Sequence, residues 1–140
     1  MTVVAFTAAQ IRALTHNGAI TRPMTAGGTI TVGNLVYNNG TANTVAAADA
    51  NVSAAATAAI GLAVESYDGE TTITTGNPVT VCVFGPVSGF SGATPGGLGY
   101  VSDTVGRIDD AAGTFDRIVG YFESASVFFV SPDINSPSSA

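Results

Sequence analysis

Along most of this chain polar and apolar positions alternate with the period of two that marks strands, not the 3.6 of helices. Thr29-Ile30-Thr31-Val32 is one such run. Leu35-Val36-Tyr37 follows, then the turn Asn38-Asn39-Gly40, whose residues favour positive φ. Ile60 to Val64 predicts a further strand, and Thr71 to Thr74 another. Pro78 to Phe84 is the strongest: Val79, Val81 and Val83 share one face, Thr80, Cys82 and Phe84 the other. Apolar groups on both faces argue for burial on both sides. Residues 85–97 are rich in Gly and Pro and read as a long turn-rich connection. Phe115 to Phe122 and Ser126 to Val130 predict the closing strands. Short strands divided by Gly-rich turns predict a mainly β fold, a small barrel or sandwich.

Three stretches break the alternation. Residues 1–27 read as an N-terminal arm, in which Thr7 and Gln10 are spaced as a capping box for a short helix through Leu14. Two turns of helix are too short to stand alone in water, so an arm ordered by a partner is an equal reading. Val45 to Ala59 is alanine-rich without a large apolar stripe, and predicts a loop with one short helix, so the whole fold is expected to hold at most one or two short helices. Residues 132–140 read as a loose tail. The barrel domain is thereby expected over 28–131.

One pattern occurs twice. Gly33-Asn34-Leu35-Val36-Tyr37 returns as Gly96-Gly97-Leu98-Gly99-Tyr100. A second pair follows each copy: Ile60-Gly61-Leu62-Ala63-Val64-Glu65-Ser66 is answered by Val119-Gly120-Tyr121-Phe122-Glu123-Ser124. Pairs in the same order predict an internal duplication, with related halves at about 28–66 and 90–124. In a strand the Leu and Tyr of this motif share a face, and its glycine permits a tight turn or a close backbone. Gly33, Leu35, Tyr37, Gly61, Gly96, Leu98, Tyr100 and Gly120 are therefore expected to define the fold, not to carry chemistry.

Composition narrows the function. Charged residues make up 10% of the chain, against about 25% in an average soluble domain. Charge is depleted where surface is buried against partners, so a subunit covered on several sides is one reading and an exposed Thr/Asn surface on an extracellular β-protein the other. Net charge is −6, with four arginines and no lysine, which argues against nucleic acid as a partner. No apolar run approaches the roughly 18 residues of a membrane helix. Residues 1–48 carry Arg12, Arg22 and His16 but no acid, while all ten acids lie beyond, suggesting two faces with different roles.

Catalytic motifs are lacking. His16 is the sole histidine and Cys82 the sole cysteine, so neither an oriented Ser-His-Asp set nor an intrachain disulfide is readable. Asp109, Asp110 and Asp116 flank the turn at Gly113 without the spacing of a calcium loop, and read as an acidic hairpin in solvent. Glu65 and Glu123 are the obvious carboxylate pair for glycoside hydrolysis, but duplication explains their equivalence. The expectation is a protein that is not an enzyme and uses no metal or cofactor.

Residues 26–37, the alanine-rich loop ending in Ile60-Gly61-Leu62-Ala63, the string Val79 to Val87, and Gly97 to Ser102 with Val119-Gly120 together resemble the capsid cement, or head decoration, proteins of tailed bacteriophages. The resemblance covers about residues 20–131. It implies a lambda-type decoration fold, a small β-barrel called a β-tulip. It also implies a homotrimer on the outer surface of the expanded head, made in the host cytoplasm, that bridges major capsid protein subunits. On that reading the arm docks on the shell: Phe6, Ile11 and Leu14 fill grooves, Arg12 and Arg22 pair with carboxylates, and removing residues 2–22 leaves a folded trimer that no longer binds. A trimeric tail-fibre or host-adhesion module is the alternative.

Overall fold

A computed structural model of the chain describes residues 2–133. Its strands are β1 (Ala5–Phe6), β2 (Arg12–Ala13), β3 (Ile20–Ala26), β4 (Ile30–Thr31), β5 (Leu35–Asn38), β6 (Thr44–Ala47), β7 (Gly61–Ser66), β8 (Thr72–Ile73), β9 (Pro78–Ser88), β10 (Phe90–Ser91), β11 (Leu98–Val101), β12 (Ile108–Asp109), β13 (Ile118–Phe122) and β14 (Val127–Val130). One α-helical turn, α1 (Ala54–Thr57), lies in the alanine-rich stretch. Ser53 caps it, its hydroxyl accepting from the Ala56 N–H at 3.1 Å. The tail expected over 132–140 lies, from residue 134 on, outside the described residues.

Five strands close into a barrel. β9 pairs with β3, β3 with β6, β6 with β5, β5 with β7, and β7 returns to β9. Only the β3–β6 contact is parallel. Closure removes the open edges that a sheet of this size would otherwise present to other chains. The barrel strands bury aliphatic side chains: Leu35, Val36, Val45, Leu62, Ala63 and Val81 are fully enclosed. Cys82 is buried among them, and desolvation pushes its thiol above the ordinary range.

β9 then leaves the barrel and enters a second sheet, in the order β9-β14-β13-β11-β12. Up to Phe84 it pairs with β3 and β7; from Gly85 it pairs with β14 and β2. The handover falls at Gly85, which has a φ of 113°. That left-handed conformation strains any residue with a Cβ, and a Cβ here would also stand 2.5 Å from the Ala19 Cα. The sequence predicts a strand ending at Phe84 and a turn-rich connection after it. The structure instead absorbs Gly85 and Pro86 as a kink inside an 11-residue strand. The core of this second sheet adds aromatic rings to aliphatic side chains such as Val87, Val101, Ile108 and Val130. Phe90, Phe122 and Phe128 meet with ring centroids 4.7 to 6.0 Å apart.

The N-terminal stretch differs from expectation as well. Thr7 makes no side-chain cap, and Ala8–Gln10 is a single 3-10 turn. Pairing of β1 with β10 and of β2 with β9 overrides the local helical signal. β3 is one of the barrel's five strands, so the barrel begins at Ile20 and a boundary at residue 28 would cut through it.

The duplicated motif maps onto two three-strand units with the same strand order, β6-β5-β7 and β12-β11-β13. Their registers match. Leu35 faces Leu62 and Val36 faces Gly61; Leu98 faces Tyr121 and Gly99 faces Gly120. In the second unit the paired glycines make room for the Phe128 ring, since a Cβ on Gly99 would stand 2.5 Å from it. Gly120 has a φ of 149°, and a Cβ there would fall on the Phe129 carbonyl oxygen. Gly120→Ala is therefore expected to destabilise the protein by about 3 kcal/mol or more. Thermal unfolding followed by circular dichroism checks this; an unchanged midpoint would contradict it.

Candidate interaction surface

The residues expected to dock on a partner occupy different environments. Ile11 is fully buried in the chain's own core, beside Val4 at 8% exposure. Phe6 is half-buried: its ring lies edge-on to Phe90 at 6.1 Å and occupies the space above Gly33, where a side chain would collide with it. The Arg107 guanidinium covers that ring at 4.7 Å, while its Nη2 donates to the Val4 carbonyl at 2.9 Å. Leu14 is half-buried, and its N–H donates to the Pro86 carbonyl at 2.9 Å. Arg12 and Arg22 are exposed. Arg12 is held locally, with Nη1 donating to the carbonyls of Ile11 and Ala9 at 2.8 and 3.2 Å. The segment is thus a strap tied to β9 and β10, in which Ile11 is buried and Phe6 and Leu14 are half-buried.

Arg12 lines a cleft of about 330 Å³ with Glu65, Glu70 and Ile11, and an adjoining one of about 180 Å³ with Glu65 and Thr80. Glu65 and Arg12 thereby share one wall, whereas Glu123, the equivalent acid of the second half, lies beyond the end of β13. His16 is exposed on the 3-10 turn Thr15–Asn17. The acidic turn is not uniformly solvated. Asp109 is buried at 1% exposure, where its carboxylate accepts from the Ser102 hydroxyl at 3.2 Å and from the Ala111 N–H at 3.3 Å. Asp110 is exposed and accepts from the Thr2 N–H at 2.7 Å. Among the described residues no three His, Cys, Asp or Glu side chains gather to hold a metal ion.

The largest unsatisfied feature is apolar. On the outer face of the second sheet, continuing onto β3 and the barrel end of β9, side chains from β3, β9, β14, β13 and β11 form one row. Ile20 is the cross-strand partner of Phe84. Phe84 meets Phe129 edge-on at 5.0 Å, and Phe129 stacks on its partner Tyr121 at 5.4 Å. Tyr121 is the partner of Leu98. Ile20, Phe84, Leu98 and Tyr121 are 53, 46, 46 and 40% exposed. Together they leave on the order of 400 Å² exposed, the size of the largest apolar patch on a typical monomer, a feature that is often functional. Val52, Tyr67 and Val105 are also exposed but belong to no such row, and isolated apolar side chains need no special cause.

The repeat explains where the row comes from. Leu35 and Leu62, the paired residues of the first unit, are fully buried, whereas Leu98 and Tyr121, at the same register in the second, are exposed. Tyr37 and Tyr100 are half-buried, while Gly96 turns the chain into β11 with a φ of 82°. Of the row, the sequence named Leu98 and Tyr121 for their places in the repeat and Phe84 as a strand residue, none of them as surface. The signal for the rest was apolar side chains on both faces of β9 and β14, a pattern that reads as burial on both sides. No family model matches this chain, and comparison with curated proteins finds no relative.

Ile11→Ala tests whether the strap is part of the fold. Loss of a fully buried Ile is expected to cost about 2–5 kcal/mol. Removal of residues 2–22, which also takes the start of β3, is expected to unfold the chain instead of leaving a folded body. Denaturant titration checks both; a change in stability below about 0.5 kcal/mol for Ile11→Ala would contradict the placement.

Proposed function

We propose that this protein is a structural subunit that covers a larger assembly: a cement protein that binds the outside of an expanded bacteriophage head as a trimer and bridges major capsid protein subunits. The observation that carries the reading is the row from Ile20 to Leu98, a large charge-free apolar surface on a chain otherwise poor in charge. A β-barrel of this size, a repeat whose motif packs strands, and the resemblance over residues 20–131 support it further.

The mechanism is thermodynamic. A subunit that binds only the expanded shell stabilises that state by mass action, by about 2.7 kcal/mol per site when its free concentration is 100 times the dissociation constant. Several weak grips by one oligomer add through effective concentration, so each contact can be modest. Arg12 and Arg22 are the strap's exposed cations and the groups offered to carboxylates on the shell.

Sedimentation of the purified full chain with expanded heads that lack it tests the proposal. Saturable co-sedimentation and a raised disruption temperature of the heads are expected. Protein that stays in the supernatant at tens of micromolar, or that binds host cells in place of heads, would overturn it.

A further inference from the structure

We infer that the aromatic row is a seam between copies of this chain: the outer face of β11, β13, β14, β9 and β3 is covered by a second molecule of the same protein. This rests on the reading of the chain as an assembling subunit, but on no property of the shell.

Three observations favour a second copy as the occupant. The first is charge. Each chain carries −6, so two copies repel wherever their acids meet. The row contributes no ionisable acid or base at neutral pH, so like-charged copies can approach over it without juxtaposing acids. The second is area. The row leaves on the order of 400 Å² exposed, about half of the roughly 800 Å² that each partner contributes to a stable complex. A polar rim supplies the remainder in such interfaces, and Tyr100 and Ser88 stand half-buried beside the row. The third is continuity. Leu98, at one end of the row, also lines a largely apolar cleft of about 280 Å³ with Val3, Ala5, Ala93 and Phe122, which has Asp110 on its wall. A protruding side chain of a neighbour, such as Ile20 or Phe84 at the other end of the row, is of a size to enter it. Composition agrees: interfaces between identical subunits are richer in apolar area and poorer in charge than those with transient partners.

The repeat gives the seam a physical rationale. The first unit buries its Leu35–Leu62 pair within the barrel, and the second presents the equivalent Leu98–Tyr121 pair outward. Covering by another copy gives the second pair the same dry environment. Four spacings of about 4.8 Å between five strands make the row roughly 19 Å long, enough for a chain of aromatic contacts but not for a single side-chain pocket.

Size-exclusion chromatography with light scattering on the full-length protein tests the inference. Wild type is expected to run as an oligomer at tens of micromolar. Tyr121→Glu and Leu98→Glu each place a carboxylate in the seam and are expected to weaken association about 100-fold or more. Val52→Glu and Val105→Glu, exposed apolar positions off the row, are expected to leave the mass unchanged. Wild type that is monomeric at about 100 µM overturns the inference whether or not the variants fold. So does an oligomer that survives both row substitutions with an unaltered circular dichroism spectrum. Head binding is measured on the same samples. Association through the row without head binding keeps the seam and removes the cement reading, while heads bound by a monomer do the reverse.

Discussion

Hydrogen bonding along β9 runs in the barrel as far as Phe84 and in the second sheet from Gly85 onward, and this shared strand fixes how the two halves sit together. A strand can belong to two sheets only if it bends where it changes partners. Gly85 supplies the bend, with a positive φ that a Cβ would strain and a bare flank against which the backbone at Ala19 lies. The strap then crosses the same strand, pairing Arg12 with Ser88 and Ala13 with Val87. β9 therefore ties together the first half, the second half and the N-terminus.

The consequence is one structural unit in two environments. Rolled into a barrel, the first copy encloses its motif leucine. Laid open as a sheet, the second has a dry inner face built on Phe90, Phe122 and Phe128 and an outer face that the described residues leave exposed at Leu98 and Tyr121. Burying apolar area stabilises by about 25 cal/mol per Å², so the outer row is a reserve of association free energy that the monomer cannot use. The low charge of the chain fits the same picture. Charge keeps surfaces apart, and it is absent where contact would be made.

Much of this was legible in the chain itself. Strand alternation located β5, β7, β9, β13 and β14, and the repeated glycine motif anticipated a duplicated unit, whose registers, Leu35 with Leu62 and Leu98 with Tyr121, only the structure gives. The strap was misread because its local signals, Thr7 and Gln10, are those of a helix cap, whereas tertiary pairing with β9 and β10 decides its conformation. Phe6 and Ile11 looked like free anchors for the same reason: sequence shows that a residue is apolar, not which surface it covers. The row was hidden by a similar ambiguity. Val127-Phe128-Phe129-Val130 is apolar on both faces, and burial by the chain itself cannot be told in sequence from burial by another copy.

The central claim is that the outer sheet face is built to be covered, through apolar contact and not through charge. Sedimentation equilibrium of the full chain at rising ionic strength, from about 0.05 to about 0.5 M, tests it most directly. Screening weakens ionic interfaces and relieves the repulsion between copies that each carry −6, so the account predicts a mass above that of one chain that holds or grows with added salt. A mass of 13.9 kDa at every salt and protein concentration, or an assembly that dissociates as salt is raised, would contradict it.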